Sequence, residues 1–328
     1  MKLHLPKGKK FIFTIIDDTD DAFFDKIKPV YDLLHKNNLR TTKTVWVHGV
    51  RDNDRSKGDS LDDPKYKKFI LDIQNKGFEI ALHNVGSGDY KRNEIINGLN
   101  IYKEILGDFP KLHVNHSYNP DNIYCGSKRF SFPFNLIVKT MYSNYNNFFG
   151  EIRGSEYFWG DYHKKHIKYS RNYEIDNINT LKVNPYMPYK DKKYDEFCNF
   201  WYSSTFASNQ WMFNKMVNKR TINKLEKEGG VCILYTHLGY FYKNGEIDKE
   251  FKKTIEYLGQ KESALFLTVG ETMKLLQKNK LKNKINDYIP FWSKKRLEFL
   301  SLKTRIKYRY FVKKDDYHFK KSSTYIND

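Results

Sequence analysis

The first 116 residues alternate between short apolar segments and segments whose apolar residues recur at helical spacing. The apolar segments lie at 11–16, 44–47, 78–82 and 112–115. Such alternation is typical of βα units, in which successive strands lie parallel in one sheet. The pattern returns late in the chain, with further apolar segments at 231–235 and 264–269. The sequence therefore predicts an α/β protein built on parallel strands.

The remaining parts of the chain differ from this pattern. Residues 117–215 have weak periodicity, and we expect long loops and irregular strands that shape a substrate cleft. From Lys274 to the end, sixteen Lys and Arg stand against five Asp and Glu, which is more than half of the net charge of +19. Phe299, Leu302, Ile306 and Tyr310 share one helical face there. We predict two units, a barrel domain over 1–276 and a basic, partly amphipathic extension over 277–328.

Ionisable residues fall at the carboxyl ends of the predicted strands. They are Asp17, Asp18, His83, His116 and His237. In (β/α) barrels this end of the strands carries the active site, so we expect the five side chains to converge. Two adjacent carboxylates at a strand end repel each other unless a cation offsets their charge. A solvated acidic turn that caps the next helix is the alternative interpretation.

Several classes of protein are disfavoured by what the sequence lacks. It contains no phosphate-binding glycine loop and no G-x-S-x-G motif, which argues against nucleotide-dependent enzymes and serine hydrolases. The three cysteines lie far apart, so neither a disulfide framework nor a paired-cysteine zinc site is expected. No long apolar run and no signal peptide pattern occur, and we expect a cytoplasmic protein.

Three segments resemble motifs of the polysaccharide deacetylase family. They are FTIIDDTDD at 13–21, GFEIALHNVGS at 77–87 and CILYTHLG at 232–239. In addition, TKTVWVHG at 42–49 is similar to the second strand of that family, and HVNHSYNPDN at 113–122 occupies the place of its arginine-proline motif. The resemblance covers about residues 8–120 and 220–276 and implies a distorted (β/α) barrel of the polysaccharide deacetylase type with a basic C-terminal helical extension.

The resemblance also implies a role for each matching residue. Asp17 would be the general base, Asp18 and His83 would bind a divalent metal ion, and His237 would be the general acid. Zinc is the expected metal. A bound zinc ion polarises an acyl carbonyl and acidifies water, while a carboxylate and an imidazole move the protons of amide hydrolysis.

The sequence departs from the family pattern at two places. The family has a second histidine four residues after the first, but here that position is Ser87. We expect His116 to replace the missing ligand, with Asp89 and His113 as less favoured candidates. The arginine-proline motif is also absent. Neighbours of the strand ends are expected to contact the sugar, namely Trp46, Asn84, Asn115 and Tyr118.

These features predict a hydrolase that removes an N-acetyl group from a sugar of a bacterial surface glycan or its precursor. The alternative is a glycan-binding protein of the same fold without catalysis. The basic extension invites a nucleic-acid interpretation, but no recognised reading motif accompanies it, so we expect no nucleic-acid partner. The extension either packs on the barrel or makes peripheral contact with the inner membrane face.

Overall fold

The computed structural model describes residues 2–51, 56–141 and 147–311. Its strands are β1 (Phe11–Asp17), β2 (Thr42–Val45), β3 (Glu79–Leu82), β4 (Leu112–His113), β5 (Tyr169–Ile175), β6 (Phe200–Phe206), β7 (Gly230–Thr236), β8 (Tyr242–Lys243), β9 (Glu246–Ile247) and β10 (Ala264–Leu265). Its α-helices are α1 (Phe24–Lys36), α2 (Pro64–Asn75), α3 (Arg92–Leu106), α4 (Phe134–Met141), α5 (Gly160–His166), α6 (Thr180–Val183), α7 (Gln210–Met216), α8 (Lys219–Glu228), α9 (Lys249–Gly259), α10 (Val269–Lys282) and α11 (Phe291–Ile306).

Strands β1 to β7 pair in parallel, each with the next, and β7 pairs back onto β1. This closes a seven-stranded barrel, and the short strand β10 adds to the start of β1. Helices surround the barrel, so the predicted (β/α) barrel is confirmed. Closure leaves the carboxyl ends of the strands around one rim, which is where βα loops bring functional side chains together.

The alternation of side chains along β1 separates two apolar clusters. Phe11, Phe13 and Ile15 pack with residues of the surrounding helices α1 and α9. Ile12 and Ile16 instead pack with inward residues of the other strands, including Val231 and Ile233 of β7. Successive residues of a strand point to opposite faces, so the next residues along β1 must also divide between the barrel interior and the helical layer.

Local signals explain several helix ends. Asp63 accepts a hydrogen bond from the Tyr66 amide, and Pro64 occupies the first turn of α2. Gly107 ends α3 in a left-handed conformation. Thr268 and Glu271 form a reciprocal capping box at the start of α10.

The middle of the chain was predicted as loops and irregular strands, and this prediction was wrong in part. Strands β5 and β6 lie in this part of the chain and are two of the seven strands that form the barrel. Their sequences, YSRNYEI and FWYSSTF, bury many polar residues. These polar residues interrupt the apolar run that is typical of a buried strand. The sequence therefore does not show that β5 and β6 are buried.

The extension beyond residue 276 begins inside α10, which continues to Lys282. Helix α11 then packs on the barrel, where Leu297 and Leu302 contact Tyr173 and Ile175 of β5. Residues 312–328 of the predicted extension lie outside the described part of the chain. Among the described residues, no helix is both long and apolar enough to cross a lipid bilayer.

Candidate metal centre

Three buried side chains meet at the carboxyl ends of the strands with their donor atoms facing one another. They are Asp20 after β1, His83 after β3 and His116 after β4. The Nε2 atom of His83 lies 3.0 Å from Nδ1 of His116 and 3.4 Å from an oxygen of Asp20. The other carboxylate oxygen of Asp20 lies 3.7 Å from Nδ1 of His116.

These separations fit a cation. Ligand atoms about 2.0 to 2.1 Å from a tetrahedral zinc ion lie about 3.3 to 3.4 Å from one another. One carboxylate oxygen and two imidazole nitrogens are also a donor set that zinc and related transition metals accept. The three residues could therefore hold a divalent metal ion, and a tetrahedral ion with three protein ligands has one further coordination position for water or substrate.

The hydrogen bonds behind the two histidines keep them suitable as ligands. His83 faces the carbonyl of Val114 with Nδ1 at 3.2 Å, and because a carbonyl only accepts, this nitrogen carries the proton. The lone pair on Nε2 then points toward Asp20. His116 contacts the hydroxyls of Ser56 and Ser87 through Nε2 at 3.1 and 3.0 Å. A hydroxyl donates or accepts, so either tautomer of His116 is satisfied.

Charge at the centre is arranged around Asp20. Burial alone would raise its pKa, but the neighbouring imidazoles, His116 foremost, lower the pKa of Asp20 well below its usual range. Burial lowers the pKa of His116 to about 4, which leaves its ring neutral near pH 7, as a metal ligand must be. The centre therefore presents an ionised carboxylate and a neutral imidazole.

His237 lies at the edge of this cluster, directly after β7. Its Nε2 is 3.3 Å from Asp20, and its Nδ1 donates to the carbonyl of Ser208 at 2.5 Å. Burial opposes the charged form, but the contact with Asp20 raises the pKa of His237 above its ordinary value. A Cβ on Gly239 would lie 2.2 Å from the carbonyl oxygen of Asp21. Glycine at this position therefore lets the loop that carries His237 pack closely against the backbone of Asp21.

Asp17 and Asp18 occupy opposite sides of the barrel wall. Asp17 points outward beneath α1, where its carboxylate accepts hydrogen bonds from Tyr31 and the Leu238 amide and lies 3.1 Å from the ammonium of Lys43. Burial raises the pKa of Asp17 against the attraction of Lys43. The structure therefore brings His83, His116 and His237 together as predicted but does not bring Asp17 to them.

Asp18 points into the barrel and is held by an arginine from β5. Both oxygens of Asp18 accept hydrogen bonds from the guanidinium of Arg171, at 2.9 and 2.6 Å. The nearer oxygen is 4.0 Å from Nε2 of His83. Burial would lower the pKa of Arg171, but the charges of Asp18 and Glu174 raise it. Asp18 thus lies beside the cluster without being one of its three facing ligands.

Sequence reasoning missed Arg171 and gave Asp20 too little weight. Arg171 lies on a strand that carried no strand pattern, so its sequence gave no signal. The sequence did contain a signal for Asp20. If the strand geometry continues past Asp17, residues 18 and 20 point to the same face of the sheet.

The four residues expected to contact substrate have different surroundings. Trp46 is fully buried and its ring lies against those of His83 and His116, at centroid distances of 6.3 and 5.1 Å. The amide of Asn115 bridges both backbone groups of Ile123. Tyr118 is half-buried with a left-handed backbone. Trp46 therefore forms a wall of the centre, and Asn115 orders a loop beside it.

Asn84 fixes the position of His116. Its Oδ1 accepts from the backbone amide of His116 at 2.9 Å and faces Nε2 of His113 at 3.2 Å. Its Nδ2 donates to Asp121 at 2.7 Å. His113 in turn contacts His163 at 3.2 Å. His113 is therefore part of the support for the centre, and His116 takes the place beside His83.

The carboxyl group of Asp121 makes stability depend on pH. Burial raises its pKa from 3.8 to about 7, against the hydrogen bond from Asn84. The folded protein therefore keeps a proton that the unfolded chain has released, and the free energy of unfolding falls as pH rises between about 4 and 7. This fall in the free energy of unfolding can reach about 4 kcal/mol. Asp121→Asn keeps an oxygen facing Asn84 but cannot ionise, so the variant is expected to lack this fall.

Urea unfolding of both proteins at about pH 5 and about pH 8 measures this difference. The variant should gain stability relative to the wild type at the higher pH. Stability curves that remain parallel across the range would contradict the prediction.

Solved structures of similar shape were found for most of the chain. A "probable Polysaccharide deacetylase" from Pseudomonas aeruginosa PAO1 aligns over 84% of this chain and 93% of its own, with a TM-score of 0.52 and 11% identity. Puue allantoinase aligns over the same shares with a TM-score of 0.51, also at 11% identity. The chain has the polysaccharide deacetylase fold. No protein-family model matches the sequence, and no curated protein matches it.

Within this polysaccharide deacetylase fold, the replacement of the expected second histidine has a structural counterpart. Ser87 stands at that position and is buried, with its hydroxyl 3.0 Å from Nε2 of His116. The histidine after β4 thus reaches into the space beside His83, and the serine supports it from behind. Two facing imidazoles are therefore present in this barrel although the motif is altered.

Proposed function

We propose that the protein is a metal-dependent hydrolase that removes an N-acetyl group from a sugar of a bacterial surface glycan or its precursor. The observation that carries the proposal is the set of facing donor atoms on Asp20, His83 and His116 beside His237. This set lies at the rim where (β/α) barrels carry their active sites. The polysaccharide deacetylase fold supports the choice of amide hydrolysis on a sugar, and zinc is the proposed metal.

Asp20, His83 and His116 would hold the cation, in place of the predicted set of Asp18, His83 and His116. When bound, the cation supplies Lewis acidity toward a carbonyl oxygen and toward water. His83 and His116 contribute neutral nitrogens, and Asp20 contributes the charge that offsets the cation. Trp46 shields this side of the centre from bulk water.

Protons would be moved by Asp18 and His237. Asp18 lies inside the barrel, 4.0 Å from a proposed ligand, and we propose it as the base that removes a proton from water, a role predicted earlier for Asp17. Arg171 positions both of its oxygens. As water adds to the acetyl carbon and the C–N bond breaks, His237 gives the proton on Nε2 to the departing amine. Acetate and the free amino sugar are the products.

The test is acetate release from oligomers of N-acetylglucosamine with added zinc, for the wild type, Asp18→Asn, His83→Ala and Asp17→Asn. We expect Asp18→Asn and His83→Ala to lose roughly a hundredfold or more in rate, the range typical of acid–base groups. Asp17→Asn should retain catalysis because Asp17 points away from the centre. Bound zinc should fall in His83→Ala and persist in Asp18→Asn.

Equal rates of acetate release in all four proteins would reject the proposal that this site catalyses the hydrolysis. If the purified wild type binds the oligomer but neither retains zinc nor releases acetate, the alternative of a non-catalytic glycan-binding protein is favoured instead. A cytoplasmic location, with or without peripheral contact at the inner membrane face, stays a prediction.

A further inference from the structure

The outward face of α11 carries aromatic and basic side chains in alternation. Trp292, Arg296, Phe299, Lys303 and Tyr310 follow one another at spacings of three, four or seven residues, so they lie along one line of the helix and its continuation. All five are exposed, Trp292 at 80%. We call these five residues the basic–aromatic stripe.

The stripe contains no acidic side chain. The one acid within α11, Glu298, is fully buried on the opposite side and accepts hydrogen bonds from Ser131. Within the part of the chain that the structure describes, neither Arg296 nor Lys303 forms an ion pair. The face is therefore both positively charged and rich in uncovered apolar area.

The segment before and within α4 extends this face with apolar side chains. Phe132 is 71% exposed, and Leu136 and Ile137 of α4 are exposed as well. The rings of Phe134 and Phe299 lie 6.4 Å apart, and the ammonium of Lys295 donates to the hydroxyl of Ser131 at 2.6 Å. Residues 126–141 contain no Asp or Glu. The stripe together with Phe132, Leu136 and Ile137 is the docking surface.

We propose that the docking surface binds an anionic lipid bilayer, with its aromatic and aliphatic side chains in the headgroup region and its cations against acidic headgroups. Aromatic residues such as Trp and Tyr favour the membrane interface, and Lys and Arg gain from the negative surface potential. Leu136 and Ile137 add area that an acyl boundary buries but that cannot stack on nucleic-acid bases. This combination favours lipid over nucleic acid.

The inner side of α11 connects the docking surface to the barrel interior. Arg305 lies 2.9 Å from Glu174, and Glu174 lies 3.7 Å from Arg171, which holds Asp18. Leu297 and Leu302 pack on β5 in the same region. Docking would therefore orient the rim of the barrel relative to the bilayer. The proposal goes beyond the proposed hydrolysis and does not depend on it.

The experiment is co-sedimentation of the full chain with phosphatidylcholine vesicles, with and without about 30% phosphatidylglycerol, since acidic lipid supplies the attraction. We expect binding only to the acidic vesicles, and weaker binding at high salt. Two double variants, Trp292→Ser with Phe299→Ser and Arg296→Glu with Lys303→Glu, should each bind at least roughly tenfold more weakly.

Matched controls carry the same kinds of change elsewhere on the surface. Arg220→Glu with Lys224→Glu on α8 makes the same change in net charge, and Leu281→Ser removes an apolar side chain that is 79% exposed. Both should bind like the wild type. Asp20→Asn should also bind like the wild type, which separates this proposal from the metal centre.

Three results would overturn the proposal. One is acidic-vesicle binding that is unchanged in both stripe variants. Another is binding of single-stranded RNA, but not of vesicles, that the stripe variants abolish. The third is self-association in sedimentation velocity, without vesicle binding, that Trp292→Ser with Phe299→Ser removes. Since all the substituted stripe residues are exposed, circular dichroism should show unchanged folding in each variant.

Discussion

Asp20→Asn is expected to weaken zinc binding by at least roughly a hundredfold, because even partners located behind metal ligands contribute 10- to 100-fold. The substitution preserves the volume of the side chain but removes the charge that faces His83, His116 and His237. Acetate release should fall with the metal. The readout that does not depend on activity is zinc stoichiometry after dialysis, together with thermal unfolding with and without zinc.

The wild type should gain about 2.7 kcal/mol of stability when free zinc is a hundredfold above its dissociation constant, and Asp20→Asn should gain no more than about 0.4 kcal/mol at that concentration. Asp21→Asn is the matched control. Its carboxylate pairs with Lys26 at 2.7 Å, outside the cluster, so it should bind zinc like the wild type. Stoichiometric zinc in Asp20→Asn would exclude this carboxylate as a ligand.

Arg171→Met is expected to cost about 3 to 5 kcal/mol in the free energy of unfolding, because it leaves Asp18 buried without its cation. Asp18 and Arg171 are both almost completely buried and joined by two hydrogen bonds. Urea unfolding measures the loss. Adding Asp18→Asn to the variant should recover part of the stability, since the uncompensated charge is then removed.

The control for Arg171 is an arginine whose ion pair faces water. Arg153 lies 2.8 Å from Glu196, and both side chains are mostly exposed. Arg153→Met should therefore cost less than about 1 kcal/mol. If the two substitutions have equal effects, the buried pair has no special role in stability.

The sequence predicted the strands whose residues are mostly apolar and whose ends carry aspartate or histidine. Strands β1, β3 and β7 could be recognised because most of their buried residues are apolar, and the short β4 was predicted from the segment at 112–115. The position of the ionisable residues after these strands follows from the geometry of βα units. The convergence of the histidine side chains could therefore be predicted from the sequence. The replacement for the ligand missing at Ser87 could be proposed for the same reason, since His116 follows the neighbouring strand.

What could not be predicted depended on buried polar residues. Strand β5 carries Arg171 and Glu174 inside the protein, where only their ion pairs make burial tolerable. A polar pattern in the sequence is more often a loop, so the strand and its arginine were both missed. To predict which of Asp17, Asp18 and Asp20 point into the barrel and which point to the helical layer, the end of β1 must also be known to within one residue.

The adjacent carboxylates of Asp17 and Asp18 make the alignment of β1 with its neighbours sensitive to a shift of one residue. Each carboxylate has its own buried cation, Lys43 on the helical side and Arg171 on the inner side. Inserting or deleting a residue in β1 would reverse every side chain beyond that point and leave ionised groups facing apolar residues. Relatives of this protein should therefore vary in the loops around this strand and keep its length constant.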